Sequence, residues 1–345
     1  MHKGVRALDY AVPVAISVVL VVWLFRRVHF RDIVEIVRTQ CDFWWVVAMM
    51  AITTLSHMVR GVRWGIQLRG AGVPRMTVTK ESVSIFGAYA LNLVFPRLGE
   101  VWRCVYISRS EHVPVSTVVG TDLGDRGSDA VVVVCLTALC LVVAHPELTR
   151  FVEHYSVGRD IRHILDDKLV WLGLAALAGA VWLVFRYMRG WSWVRKADGS
   201  LARIWRGFRV LFTMPGRGMY VVLTLGIWLC YYMETYVMFQ AFPFTRALME
   251  TPGSAWGLIP GLVVFVFGSF SMAIPSNGGL GPWNLAVMFA LSLYGISDTQ
   301  GASFSMVMWG CQAAWLVVLG LFSAGYVIRE KARQRGVVPE DVAPS

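Results

Sequence analysis

Long apolar runs, closed by arginine, proline or glycine, set the pattern of this chain. A bilayer core about 30 Å thick is crossed by about 20 mostly apolar residues in a helix. Six runs approach that requirement: Leu8–Phe25, Phe43–Val59, Gly127–Ala144, Leu169–Phe185, Met219–Phe242 and Ala302–Ile328. Two more are interrupted. Ser82–Phe95 closes on Pro96 and Gly99, and Gly257–Gly295 is broken between Pro275 and Pro282 by Ser276, Asn277, Gly278, Gly279, Leu280 and Gly281. Proline removes a backbone donor and glycine adds backbone entropy, so no continuous helix is expected through that stretch. The pattern predicts an all-α polytopic membrane protein with about six full spans and two broken, re-entrant elements. Lys3 and Arg6 precede the first run as in a signal peptide, but Arg26-Arg27 follow it with no small-residue cleavage site. A retained first helix is expected.

Composition agrees. The chain is 56% hydrophobic and 16% charged, whereas soluble domains carry about 45–50% apolar and about 25% charged residues. Fifteen tryptophans and eighteen phenylalanines suit a protein whose aromatic rings sit at bilayer interfaces. No polar linker divides the chain, which reads as one membrane domain over residues 1–328 with a cytoplasmic tail at 329–345. The net charge of +10 points to anionic headgroups beside spanning helices. Without a zinc-finger or RNA-binding signature, nucleic acid is not an expected partner. The six cysteines form no CxxC pair or disulfide framework, and the seven histidines lack metal-ligand spacing. No metal and no cofactor are expected.

Orientation follows from the bias of Lys and Arg between loops. Residues 186–217 hold eight basic residues against Asp198 alone, and are expected to form a cytoplasmic loop. Residues 145–168, with four basic and five acidic residues, suit the outer side. Arg60–Glu81 and the tail beginning Arg329, Lys331, Arg333 and Arg335 read as cytoplasmic, and both termini then lie inside. This parity requires Ser82–Phe95 to enter and return on one side, while Gly257–Gly295 dips in from the other or crosses twice. Two broken elements in opposite orientations are the mark of inverted-repeat transporters. Within Ser200–Phe212, Leu201, Ile204, Trp205, Phe208 and Leu211 share one helical face, away from Arg203, Arg206 and Arg209. That predicts a basic amphipathic helix on the membrane surface. Arg60 and Arg63, just after the second run, read as further interface anchors.

Ionisable groups at membrane depth cost roughly 2.5–3.5 kcal/mol each on insertion scales, so they mark candidate sites. The first cluster spans Asn92, Pro96, Arg97, Gly99, Glu100 and Arg103. Arg97, Glu100 and Arg103 fall at i, i+3 and i+6, near one face of a helix. Glu100 bridging the two arginines beside a broken helix leaves positive charge suited to a phosphate or carboxylate, which arginine grips with two parallel hydrogen bonds. The second cluster, Asp125, Arg126 and Asp129, reads as the mouth of a span, either as a site or as an ion pair holding a helix end. The uncharged break offers Ser276 and Asn277 side chains, the backbone of Gly278 and Gly279, and a helix N-terminus near Gly281 that favours an anion.

These motifs resemble the lysylphosphatidylglycerol synthase transmembrane-region family, whose members are flippase-like. Arg60-Gly61-Val62-Arg63-Trp64, Asn92–Arg103, Asp125–Asp129 and Ile274–Gly281 stand in the family's order. The resemblance implies an eight-segment domain that, in fused bacterial relatives, moves aminoacylated phospholipids across the inner membrane. By motif it carries over to Asn92, Pro96, Arg97, Gly99, Glu100, Arg103, Arg126, Asp129, Gly278, Gly279 and Gly281. There are two departures: Asn284 stands where the family commonly has an acid, and Asp125 where it has Glu. With seventeen residues after Ile328, a soluble aminoacyl-transferase domain is not expected.

The leading expectation is therefore a lipid translocase, not an enzyme, with a headgroup bound at the midplane between the two broken elements. Its expected partners are membrane lipids with anionic phosphate groups; a separate lipid-modifying enzyme and homo-oligomers are compatible with it. No phosphate-binding Walker A sequence is present. An enzyme acting on lipid-linked substrates would need Glu100, Asp125 or Asp129 as general base. A membrane scaffold would need only the basic surface helix.

Overall fold

The computed structural model describes residues 30–95, 97–145, 209–274 and 276–336, and no strand occurs among them. In chain order the helices are α1 Phe30–Gln40, α2 Phe43–Gly70, α3 Val78–Val94, α4 Leu98–Ser110, α5 Val115–Val143, α6 Arg217–Met238, α7 Pro243–Glu250, α8 Leu258–Ser271, α9 Pro282–Ser292 and α10 Asp298–Gly336. A 3-10 turn, Phe239–Ala241, extends α6. By length and composition α2, α5, α6 with its extension, and α10 can cross a bilayer. They carry four of the six expected spans. The expected spans Leu8–Phe25 and Leu169–Phe185 lie outside the described residues, as do Pro96, Pro275, Arg203 and Arg206. Residues 209–213 are helical with Arg209 exposed, and Val210 and Leu211 pack on Met214, Ile66 and Tyr220.

Local chemistry explains several boundaries. Asp42 caps α2 by accepting from the Trp44 amide at 3.1 Å, and Thr77 caps α3 by accepting from the Lys80 amide at 3.2 Å. Pro243 and Pro282 open α7 and α9, where a missing N–H costs nothing. Phe95 ends α3 in an extended conformation, as the residue before a proline prefers. The spanning helices outrun their apolar sequences. The stretch Arg60–Gly70 continues α2, and α5 starts at Val115 rather than Gly127. Reading Arg60–Glu81 as a loop is thereby corrected: only residues 71–77 lie between α2 and α3, and Arg60–Gly70 and Val78–Glu81 are helical.

Two helical hairpins enter the bundle from opposite ends. At one end, Lys80 in the first turn of α3 lies 2.6 Å from Glu111 after α4 and 2.6 Å from Glu330 late in α10. The α3–α4 hairpin therefore starts and finishes at the same end. At the other end, the Asp42 amide donates to Ala241 O at 2.8 Å. There the Tyr236 hydroxyl donates to Trp256 O at 3.0 Å, anchoring the start of α8 beside the end of α6. The α8–α9 hairpin enters from that side. The two tips meet inside: the Gly278 amide donates to Asn92 O at 3.2 Å, and Asn277 Nδ2 donates to Val94 O at 3.0 Å. The largest apolar core joins Met238, Phe239 and Phe242 with Val264, Val287 and Phe304. Exposed Val131 and Val134 of α5, Val222 and Leu225 of α6, and Leu321 and Phe322 of α10 form a lipid-facing exterior.

Close approach at Gly99 lets α4 fold back on α3, since a Cβ there would run into the Ala88 carbonyl oxygen. Gly99→Ala is expected to lower stability by about 1–3 kcal/mol, the usual cost of overpacking. Thermal unfolding in detergent checks this, and an unchanged midpoint would mean that the hairpin is looser than described.

Candidate functional site

Polar residues recur at helical spacing on the inner faces of the spans. In α2 the buried stripe is Thr53, Ser56, His57, Arg60, Arg63 and Gln67; in α5 it is Asp122, Asp125 and Asp129. Asp129 stands midway along α5, and Arg60 lies about 15 Å from the end of α2 at a rise of 1.5 Å per residue. Both positions correspond to the interior of a membrane.

There Arg60 and Arg63 bridge both aspartates. Arg60 Nη1 lies 3.2 Å from Asp125 and Nη2 2.8 Å from Asp129. Arg63 Nη2 lies 2.6 Å from Asp125 and Nη1 2.9 Å from Asp129. Arg103, from α4, pairs with Asp122 and approaches Asp125 at 3.6 Å. Three arginines thus meet three aspartates, and the network is neutral as a whole. Helix α6 completes it: Arg63 Nη1 donates to Thr224 at 3.2 Å, Arg60 Nε to the Tyr231 hydroxyl at 3.1 Å, and Trp228 Nε1 to Asp129 at 3.4 Å. The Arg103 guanidinium lies over the Trp64 ring at 4.5 Å and that of Arg63 over Tyr220 at 5.3 Å, favourable cation–π placements.

Several expectations are corrected by these contacts. Arg60 and Arg63 are not surface anchors: they are 2% and 0% exposed, because aspartates of α5 neutralise them inside the bundle. Asp125 and Asp129 lie within α5, not at its mouth, and neither holds Arg126. That arginine pairs instead with Glu100. Glu100 does not bridge Arg97 and Arg103, since Arg103 turns inward to Asp122. Arg97 precedes α4 in a left-handed conformation, φ 63°, and is exposed at the hairpin tip. It therefore shares no helical face with Arg103.

The breaks themselves are tied together. Asn92 Oδ1 accepts from the Gly99 amide at 2.8 Å, spanning the first break. Gly278 and Gly279 have φ of 57° and 82°, and a Cβ on Gly278 would stand 2.7 Å from the Leu93 side chain. Trp309 Nε1 of α10 donates to Gly278 O at 2.8 Å. Ser276 Oγ lies 3.4 Å from Ile274 O. Asn284 Oδ1 accepts from the Gly281 amide at 3.2 Å, so the neutral residue at this position serves as a helix cap. Asn92, Arg97, Gly99, Asn277 and Gly278 thus converge on the tips. Glu100 and Arg126 stand beside the first tip, and Asp125, Asp129 and Arg103 belong to the charge network.

The family's profile, described as Lysylphosphatidylglycerol synthase TM region, matches residues 10–320. The chain belongs to this family. No curated protein and no solved structure matches it. As a lysylphosphatidylglycerol synthase TM-region protein, the chain is a multi-pass membrane protein of lipid-related function. The network residues Asp122, Thr224 and Tyr231, and the buried Glu234 beside the network, were not singled out from the sequence. Their signal is the spacing of polar residues at three and four within apolar runs, in register with Arg60 and Arg63.

Removing one partner of a buried pair strands the other charge. Arg63→Met is expected to cost about 3–5 kcal/mol. Adding Asp129→Asn restores charge balance and is expected to recover part of that loss in thermal unfolding. A double variant no more stable than Arg63→Met would place the effect elsewhere.

Proposed function

We propose that this chain is a lipid translocase that carries a phosphate-bearing headgroup past the meeting point of its two hairpin tips. The observation that carries this reading is the contact of the Gly278 amide with Asn92 O at 3.2 Å, between hairpins entering from opposite ends. Irregular backbone at membrane depth is tolerated where protein buries it or where it lines a cavity. Transporters place substrate sites at such broken helices. Exposed Arg97 supplies a cation at the tip, with the half-exposed Glu100–Arg126 pair alongside. Arg103 Nε and Nη1 have no hydrogen-bond partner, so its guanidinium retains donors for a phosphate when the tips part. Acyl chains would remain in lipid along the apolar exterior while the headgroup passes.

That Glu100, Asp125 and Asp129 are all held by arginines supports transport over general-base catalysis. The basic residues of the Arg69–Arg75 turn and of the end of α10 share one end of the bundle with the α3–α4 base, which supports the cytoplasmic assignment of that end.

Mass spectrometry of lipids co-purified with the wild type and with Arg97→Ala/Glu100→Ala tests the site. One phospholipid class is expected to be enriched several-fold over bulk membrane in the wild type and to return to the bulk proportion in the variant. Equal bulk lipid in both proteins would remove the tip as a headgroup site.

A further inference from the structure

Glu234, one turn before the end of α6, is 5% exposed, and among the described residues it joins none of the ion pairs. Among the described residues, every other buried carboxylate faces an arginine. Glu234 faces neutral groups. Gln312 Nε2 of α10 donates to Oε2 at 2.7 Å, and Ser56 Oγ of α2 stands 3.1 Å from Oε1. The Thr53 hydroxyl also faces the carboxyl.

Proton counting gives this arrangement its meaning. Ser56 Oγ lies 2.8 Å from Thr53 O, and Thr53 Oγ1 donates to Met49 O at 3.0 Å. A hydroxyl has one proton to give. When Ser56 gives its proton to Thr53 O, its contact with Glu234 is a hydrogen bond only if the carboxyl is the donor. When the hydroxyl turns to Oε1, the same positions serve the carboxylate. Rotation of one hydroxyl therefore accommodates the acid with and without its proton, with no shift of a helix.

The surroundings hold further titratable groups. His57, 4% exposed, adjoins Ser56 through Nδ1 at 3.4 Å, and its Nε2 has no partner. Its ring lies 4.4 Å from that of Tyr89 of α3, tilted by 30°. Cys230 and Tyr231 lie on α6 itself, Cys311 precedes Gln312 on α10, and α8 carries no titratable residue. The closest fixed cation on α2 is Arg60, committed to Asp125, Asp129 and Tyr231. A lone carboxylate in an apolar interior costs several kcal/mol, and carboxyls retained at this depth are the usual elements of proton relays.

We propose that Glu234 is an intramembrane proton-binding site, with Ser56 and Gln312 as its hydrogen-bond partners. The site lies one helical turn from the arginine–aspartate network, so a proton taken up here changes the charge beside Arg60. This goes beyond the translocase reading and stands independently of it.

Infrared difference spectra of the purified full chain in lipid nanodiscs, titrated from about pH 5 to 9, test it without lipid movement. The wild type is expected to show a carboxylic-acid carbonyl band that is lost on alkaline titration and is missing from Glu234→Gln. Gln312→Leu, which removes the donor to Oε2, is expected to move the titration midpoint by about one pH unit, equivalent to one charge-assisted hydrogen bond. Superimposable spectra for the wild type and Glu234→Gln would overturn the proposal. Should Glu234→Gln fail to fold, Gln312→Leu and Ser56→Ala serve in its place, and midpoints identical to wild type in both would overturn it equally.

Discussion

Charge inside a bilayer must be neutralised where it lies, and that constraint fixes this structure. Arg60 and Arg63 on α2 lie among apolar residues, and a membrane offers no water to solvate them. Asp125 and Asp129 on α5 meet both guanidinium groups, while Asp122 takes Arg103 from α4. Each pairing demands excellent geometry, because desolvating two ions costs about as much as their attraction returns. The network therefore sets the register of three helices at once. It also holds the α3–α4 hairpin against the bundle, because Arg103 ties α4 to α5 beside the Glu100–Arg126 pair.

The second constraint is the backbone freed at the breaks. Open peptide groups at membrane depth need partners, and here much of the satisfaction comes from across the breaks. Asn92 Oδ1 takes the Gly99 amide, Asn277 Nδ2 reaches Val94 O, and Trp309 closes on Gly278 O. Each hairpin tip thus depends on the other, and α10 braces both. A structure that holds its broken segments through a few interhelical hydrogen bonds can separate them by exchanging those bonds for bonds to a polar headgroup. This links the geometry of the tips to transport, while the charge network keeps the surrounding helices in register.

Much of the fold was legible in the sequence, because span length and the Pro/Gly punctuation are local properties. The runs at α2, α5, α6 and α10 and both breaks follow from apolar length and helix-breaking residues, and the motif order identified the family. Partnerships were less legible. Arg60 and Asp125 are 65 residues apart, and nothing local distinguishes an arginine that anchors a helix at the interface from one paired in the interior. Loop-charge counting therefore assigned Arg60 and Arg63 to the surface. Glu100 and Arg103 lie three apart in α4, yet their partners are Arg126 and Asp122. Short sequence separation suggested an ion pair that tertiary packing replaced. The spacing of Thr53, Ser56, Arg60, Arg63 and Gln67 was the available signal, since polar residues at three and four on an apolar helix define an inward face.

The central claim is that the hairpin tips form a path for a lipid headgroup. Its most direct measurement uses vesicles reconstituted with the full chain and a headgroup-labelled phospholipid, exposed to a membrane-impermeant reductant. The account predicts that nearly all label becomes reducible in vesicles holding the protein, against only the outer-leaflet share in empty vesicles. Reduction limited to the outer leaflet, with protein insertion verified, would contradict it.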